Sequence, residues 1–207
     1  MSIKIRQAVV QDVPFLAKMM LQSTRAGKRD GIFDLFFSTN DDRVLLKNLE
    51  ALAKTTIKNR CHFSNFLVAE LDGQLVGTLC SYEPRISNRE SFLNSLVEIG
   101  YNEDISEQLE VLDSCAFSLN NRTLMLDFME EVDNFRDVGI LKALMQKSLL
   151  TARLKGYRIA QTIVEIGSLE TILFYKKLGF KEIEEHECEL YKEKFGRLGL
   201  VLLAIEF

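Results

Sequence analysis

Residues 123–150 read TLMLDFMEEVDNFRDVGILKALMQKSLL, an apolar strand, an Arg-x-x-Gly turn, and an amphipathic helix starting directly from that turn. This segment constrains the fold more than any other. A strand that hands straight over to a helix belongs to an α/β architecture, and the Leu and Met positions from Ile140 to Leu150 read as the buried face of that helix. The first N–H groups of such a helix have no internal acceptor, and its dipole adds positive potential there. Arg136 brings a full charge to the same place, and Gly139 lets backbone approach a ligand closely. Together they describe a site for a phosphate or pyrophosphate.

The flanking sequence extends the same architecture. Ile3 and Ile5 alternate with Lys4 and Arg6 as a first strand. Asp12 stands where an N-cap belongs, Pro14 is tolerated in the first helical turn, and the helix runs on through Phe15, Leu16, Met19 and Met20. Residues 27–40 read as a loop, although Phe33, Leu35, Phe36 and Phe37 are conspicuous in it. Asp41 or Asp42 starts a second helix carrying Leu45, Leu49, Leu52 and Ile57.

Asp72-Gly73 between the apolar runs 66–70 and 74–82 is the usual signal for a hairpin. Residues 86–121 are richer in polar groups, with helical stretches near 92–99 and 106–115, and read as a helical insertion between two sheet strands. After the central strand and its helix come a strand at 158–165, a short helix at 169–178 with Gly179 as its left-handed cap, and a closing hairpin from 180–186 and 198–207. The expectation is a single α/β domain over residues 1–207, with a mixed, mostly antiparallel central sheet flanked by helices on both faces.

Composition narrows the function classes. The net charge of −4 leaves no electrostatic footprint for nucleic acid or an anionic membrane. Cys61, Cys80, Cys115 and Cys188 form no C-x-x-C pair, and with two histidines no zinc site is expected. The cysteines read as buried or reduced thiols of a cytoplasmic protein. The N-terminus alternates apolar residues with charge, unlike a signal peptide.

The chain resembles the GNAT N-acetyltransferase superfamily over nearly its whole length. The opening IKIRQAVVQDV is similar to that family's first strand and turn, and FLVAELDGQLVGTLCSYE to its second and third strands. Arg136-Asp137-Val138-Gly139-Ile140-Leu141 resembles the family's Q/R-x-x-G-x-G/A signature. Phe174-Tyr175-Lys176-Lys177-Leu178-Gly179-Phe180 resembles its closing Tyr-x-x-Leu-Gly-Phe motif. The resemblance implies acetyl-CoA as co-substrate, no metal, and a small-molecule or peptide amine as acceptor. The partner expectation is completed by a monomer or homodimer with no nucleic acid and no membrane.

It also implies roles residue by residue. Backbone N–H groups of Arg136, Asp137, Val138, Gly139, Ile140, Leu141 and Lys142 would hold the pyrophosphate. The strand edge at Met129 and Glu131 would pair with the pantetheine amides as an added strand does. The Met129 N–H would polarise the thioester carbonyl. Tyr175 matches the tyrosine that protonates the departing thiolate, against the plainer reading of a core tyrosine. Asp127 matches the position of a catalytic carboxylate in polyamine-type members and is the candidate base, against a solvated strand residue or a partner for Arg136. Glu165 is the reserve base, and Glu130 and Glu131 either attract a cationic substrate or face solvent.

Four positions depart from the family pattern. Asp137 puts a carboxylate beside the phosphate turn, Leu141 stands where Gly or Ala is usual, Val138 removes a cation, and Ser168 replaces an Asn seven residues before Tyr175. Lys142 offers one compensating charge. Asp137 and Leu141 keep a second reading open, a catalytically silent acyl-CoA-binding regulatory module. Phe33, Phe36 and Phe37 either line an acceptor pocket or pack in the core, and His62 and His186 read as structural.

Overall fold

Asp72 and Gly73 both take positive φ, 50° and 81°, the twist a two-residue hairpin needs. The computed structural model describes residues 3–120, 122–136 and 138–207, so Asp137 lies outside the described residues. The Asp-Gly turn joins β2 (Phe66–Leu71) to β3 (Gln74–Tyr82). These strands sit in a seven-stranded sheet with β1 (Ile3–Gln7), β4 (Leu124–Glu131), β5 (Ile159–Glu165), β6 (Lys181–Glu187) and β7 (Gly199–Glu206). The strand order is β1-β2-β3-β4-β5-β7-β6, and among the described residues only β4 and β5 run parallel. The expected mixed, mostly antiparallel sheet is what forms.

Helices cover both faces. On one side lie α1 (Val13–Arg25), α2 (Ile32–Phe36), α3 (Asp42–Leu52) and α4 (Arg89–Glu98), whose apolar residues meet Phe66, Val68, Cys80 and Phe128 of the sheet. On the other lie α6 (Ile140–Leu154) and α7 (Leu169–Lys177), packed on Val76, Leu79, Leu124, Leu126 and Leu203. The remaining two are α5 (Ser106–Asp113) and α8 (Glu189–Phe195), and they share a third, smaller apolar cluster. Helices α4 and α5 lie between β3 and β4.

Two elements differ from the sequence reading. The stretch read as a loop contains α2, a single turn whose Phe33 and Phe36 are buried and whose Asp34 is held by Arg25 at 2.7 Å and by the Gly31 N–H at 2.8 Å. One turn is too short to show helical periodicity. The closing strands β6 and β7 pair antiparallel as expected, but their connection contains α8, which the sequence reading lacked and which buries Tyr191 and Phe195.

The cysteine expectation is also corrected. Cys115 and Cys188 form a disulfide, with Cα atoms 5.8 Å apart, while Cys61 and Cys80 are free and buried. Residues 73 positions apart give no local sign that the fold will bring them together. The bond also withdraws the cysteine argument for a cytoplasmic location. Among the described residues no helix is long and apolar enough to cross a membrane.

Candidate functional site

The site is organised by an irregularity in β4. Asp127 pairs with Cys80 and Glu130 with Thr78, so Phe128 and Met129 together oppose the single residue Leu79. Phe128 takes φ 45°, uncommon for a bulky residue. Both of its main-chain polar groups are satisfied by side chains. Its N–H donates to Asp127 Oδ1 at 2.8 Å, and its carbonyl accepts from Thr78 Oγ1 at 3.1 Å.

The extra residue also redirects the side chains. Leu126 packs with α6 and α7, whereas Phe128 packs on the α1 and α3 side, stacked on Phe33 and Phe66 with ring centroids 5.9 Å away in each case. Phe33, Phe36 and Phe37 are therefore core residues.

The bulge coincides with the parting of β4 from β5. These strands pair only at Leu124–Ala160 and Met125–Gln161, after which β5 continues with β7 as far as Glu165. From Leu126 onward the β4 edge towards β5 carries no described ladder. Half-buried Met129 and Glu131 lie on that stretch.

Tyr175, in the last turns of α7, is buried, and its hydroxyl faces Thr162 Oγ1 of β5 at 3.5 Å. Burial pushes its phenol up to about 12; Thr162 opposes this and the Asp127 charge adds to it. Asp127 itself is raised above the ordinary carboxylate value, chiefly by burial, with Arg60 and the Phe128 N–H pulling it back. The structure thus brings Asp127 and Tyr175 within electrostatic reach of each other, although they arise on different elements. Ser168 begins α7 and lies seven residues before Tyr175, on the same helix face.

Downstream of β4 lies the start of α6. Gly139 takes φ 88°, left-handed, and nothing lies within 4 Å of where its Cβ would stand. Among the described residues no side chain caps α6, whose first N–H groups lack partners within the helix. A second glycine fixes where this helix starts. A Cβ on Gly77 of β3 would lie 2.7 Å from Ile140 Cγ2 and 3.1 Å from the Glu130 carbonyl. Only a residue without Cβ lets Ile140 seat against the sheet.

Around the turn, Val138 and Lys142 are exposed and Leu141 is half-buried. Arg136 binds Asp133 at 2.6 Å across a well-exposed surface. Such a pair is worth under about 1 kcal/mol, so the guanidinium exchanges partners readily.

Other residues singled out in the sequence are placed elsewhere. Glu165 is held by Lys28, by Tyr191 Oη at 3.0 Å and by Arg197 at 3.6 Å. A carboxylate neutralised by two cations is a poor base. Glu130 is half-buried and raised, mainly by burial. The Glu131 carbonyl accepts from Gln22 Nε2 at 3.4 Å. His62 Nδ1 meets Ser64 Oγ at 2.8 Å, and His186 binds Glu184 at 2.7 Å, both local structural roles.

Sequence reasoning missed Gly77, Thr78 and Thr162, which position the site, and also Arg60 and Tyr82, which lie beside Asp127. A cavity of about 290 Å³ opens between Ser81–Glu83 of the β3 end and Ser148, Thr151 and Lys155 of α6, and of the residues just described only Tyr82 lines it. Among the described residues no group of three or more His, Cys, Asp or Glu could hold a metal ion.

No protein-family model and no curated protein sequence matches the chain. Solved structures do. An acetyltransferase shares 18% identity at TM-score 0.70, with 98% of each chain covered. An N-acetyltransferase from Staphylococcus aureus Mu50 shares 16% at TM-score 0.69, covering 98% of this chain and 100% of its own. The PaiA N-acetyltransferase of Thermoplasma acidophilum, solved in complex with coenzyme A, shares 15% at TM-score 0.57, with both chains fully covered. At such identities the likeness establishes the fold.

Proposed function

We propose that this chain, which has the GNAT fold, moves an acetyl or other short acyl group from acyl-CoA to a primary amine by direct attack. The observation that carries the reading is the bulge at Phe128–Met129 beside the parting of β4 from β5, ahead of a helix that no described side chain caps. The residues fit the co-substrate. The N–H groups opening α6, with Arg136 and Lys142 beside them, suit a pyrophosphate, and the β4 edge at Met129 and Glu131, beyond its last described ladder pair with β5, suits the pantetheine amides.

Asp127 accepts the proton that the acceptor ammonium must lose before its nitrogen can attack. The Met129 N–H, on the stretch of β4 beyond its last described pair with β5, stabilises charge on the thioester oxygen. As the C–N bond forms and the C–S bond breaks, Tyr175 gives its proton to the departing sulfur and the nitrogen's second proton leaves to solvent or restores the phenol; a phenol held near 12 stays protonated until that moment.

Thiol release from acetyl-CoA over an amine panel tests this. The Tyr175→Phe variant is expected to lose turnover by about 10²-fold or more while acetyl-CoA still raises its melting temperature. A second reading, a catalytically silent CoA-binding module, is favoured by the near-complete burial of Tyr175 and by the Leu141 side chain at the turn. Stabilisation by acetyl-CoA without thiol release for any amine would select it. No stabilisation by acetyl-CoA or CoA would remove both.

A further inference from the structure

Arg60 lies in the stretch between α3 and β2, and its guanidinium reaches under the β4 bulge. Its central carbon stands 5.7 Å from the Phe92 ring centroid and 5.9 Å from that of Phe128. Phe128 is the residue whose N–H Asp127 holds. The Arg60 carbonyl accepts from Cys80 Sγ at 3.3 Å, and Cys80 is the ladder partner of Asp127. Two residues therefore tie Arg60 and Asp127 into one compartment.

Opposite charges in such a place ordinarily close on each other. Arg6 contacts Asp12 at 2.7 Å, and Arg25 contacts Asp34 at 2.7 Å. Among the described residues, Arg60 and Asp127 make no ion pair within 4 Å, with each other or with anything else. The Arg60 guanidinium adjoins instead the side chains of Tyr82 and Cys61, neither of which carries charge at neutral pH. Burying charge without a counter-charge in contact is expensive. Neither residue is fully buried, each keeping part of its surface exposed.

We propose that Arg60 binds a carboxylate on the acceptor, making the acceptor a small amino acid whose amine is presented to Asp127 while its carboxylate sits on the guanidinium between Phe92 and Phe128. The inference rests on the acyltransferase reading and supplies its substrate class. A guanidinium offers two parallel N–H donors that match a carboxylate, and the flanking rings hold that fork still without competing for its hydrogen bonds. The polarity of the pair also rejects alternatives. A polyamine would bring a second cation against Arg60, and a plain alkylamine would leave the guanidinium without an anion. Burial works against the charged form of Arg60, but Asp127 together with the neighbouring Tyr82, Cys61 and Cys80 outweighs it, so the cation is present to do this.

The test uses the whole chain, with single protein amino acids, their primary amides and spermidine as acceptors, and thiol release and calorimetric binding in the presence of CoA as readouts. At least one amino acid is expected to exceed its own amide by about 100-fold or more in kcat/KM, because a site built for a charged group is left unmatched by the neutral analogue. Arg60→Met, which keeps the volume, is expected to erase that preference while acetyl-CoA stabilises it as in the parent. Arg60→Lys is expected to recover part of it. Amides or spermidine turned over as well as amino acids, or a preference that survives Arg60→Met, would overturn the proposal and leave acyl transfer standing. Amino-acid binding that depends on Arg60, with no thiol release, would keep this subsite and overturn the transfer reaction. Absence of both turnover and amino-acid binding would overturn both.

Discussion

Breaking the Cys115–Cys188 bond should lower the melting temperature by an amount the structure lets one calculate. The cross-link closes a loop of 73 residues, running from the end of the α5 turn to the start of α8. In the chain-entropy treatment, a loop of that size removes from the unfolded ensemble entropy worth about 4 kcal/mol at 25 °C. For a chain this long each kcal/mol moves the midpoint by about 2–4 °C, so the expected loss is about 8–16 °C. Both sulfurs are buried in the small cluster of Val111, Tyr191 and Phe195, so reduction needs a strong reductant or partial unfolding. Scanning calorimetry should compare oxidised protein, reduced protein and the Cys115→Ser/Cys188→Ser double variant. Thiol titration in denaturant counts two reactive cysteines if the bond is present. Four thiols in freshly purified protein, or a shift under about 2 °C, would refute the reasoning.

Two further outcomes follow from the site. Gly77→Ala forces a Cβ to 2.7 Å from Ile140 Cγ2 and 3.1 Å from the Glu130 carbonyl, so overpacking should cost about 1–3 kcal/mol in thermal unfolding. Because the displaced atoms begin α6, the stabilisation by CoA should shrink in the same variant. Asp127 must be ionised to accept a proton and its value is raised from 3.8, so kcat/KM should fall as pH drops through a point above 3.8. That limb should vanish in Asp127→Asn together with most of the turnover. The same raised value makes the native state bind the proton more tightly than the unfolded chain. Stability contributed by protonated Asp127 is therefore present at low pH and declines as pH rises through the native value, and Asp127→Asn removes that decline from a pH series of melting curves.

What the sequence disclosed depended on range. The hairpin at Asp72-Gly73 and the left-handed Gly139 and Gly179 are local backbone demands, written in the residue that meets them. The stripe of Ile140, Leu144 and Met145 is likewise a local record of one buried face. The paired motifs around Arg136 and Tyr175 carried the fold because each marks an end of an α/β unit. What stayed hidden is made of residues far apart in the chain. Gly77 and Ile140 touch only because β3 lies under α6, and no pattern around Gly77 separates it from an ordinary strand glycine. Arg60 sits in an irregular stretch and gains meaning only when Phe92 and Phe128 close on it. Helix α2 escaped because five residues are too few for a period to emerge, although its phenylalanines were the visible sign of burial.

The bulge joins structure to chemistry in one residue. Holding Phe128 at positive φ costs on the order of 1–3 kcal/mol. Stacking on Phe33 and Phe66 offsets part of this, each aromatic pair contributing about 0.5–1.5 kcal/mol beyond its buried area. The rest comes from satisfying a main-chain group that the ladder has abandoned, and here Asp127 acts by accepting the Phe128 N–H. The candidate base is therefore also a support of the bend that frees the β4 edge beside it. One oxygen of its carboxylate is committed to the backbone, and the second remains to face an acceptor. Asn at this position keeps the accepting oxygen and loses the basic one, whereas Ala loses both. The two substitutions consequently separate the roles. Asp127→Asn should leave the edge open and the CoA-induced stabilisation intact while turnover disappears, and Asp127→Ala should lose both together.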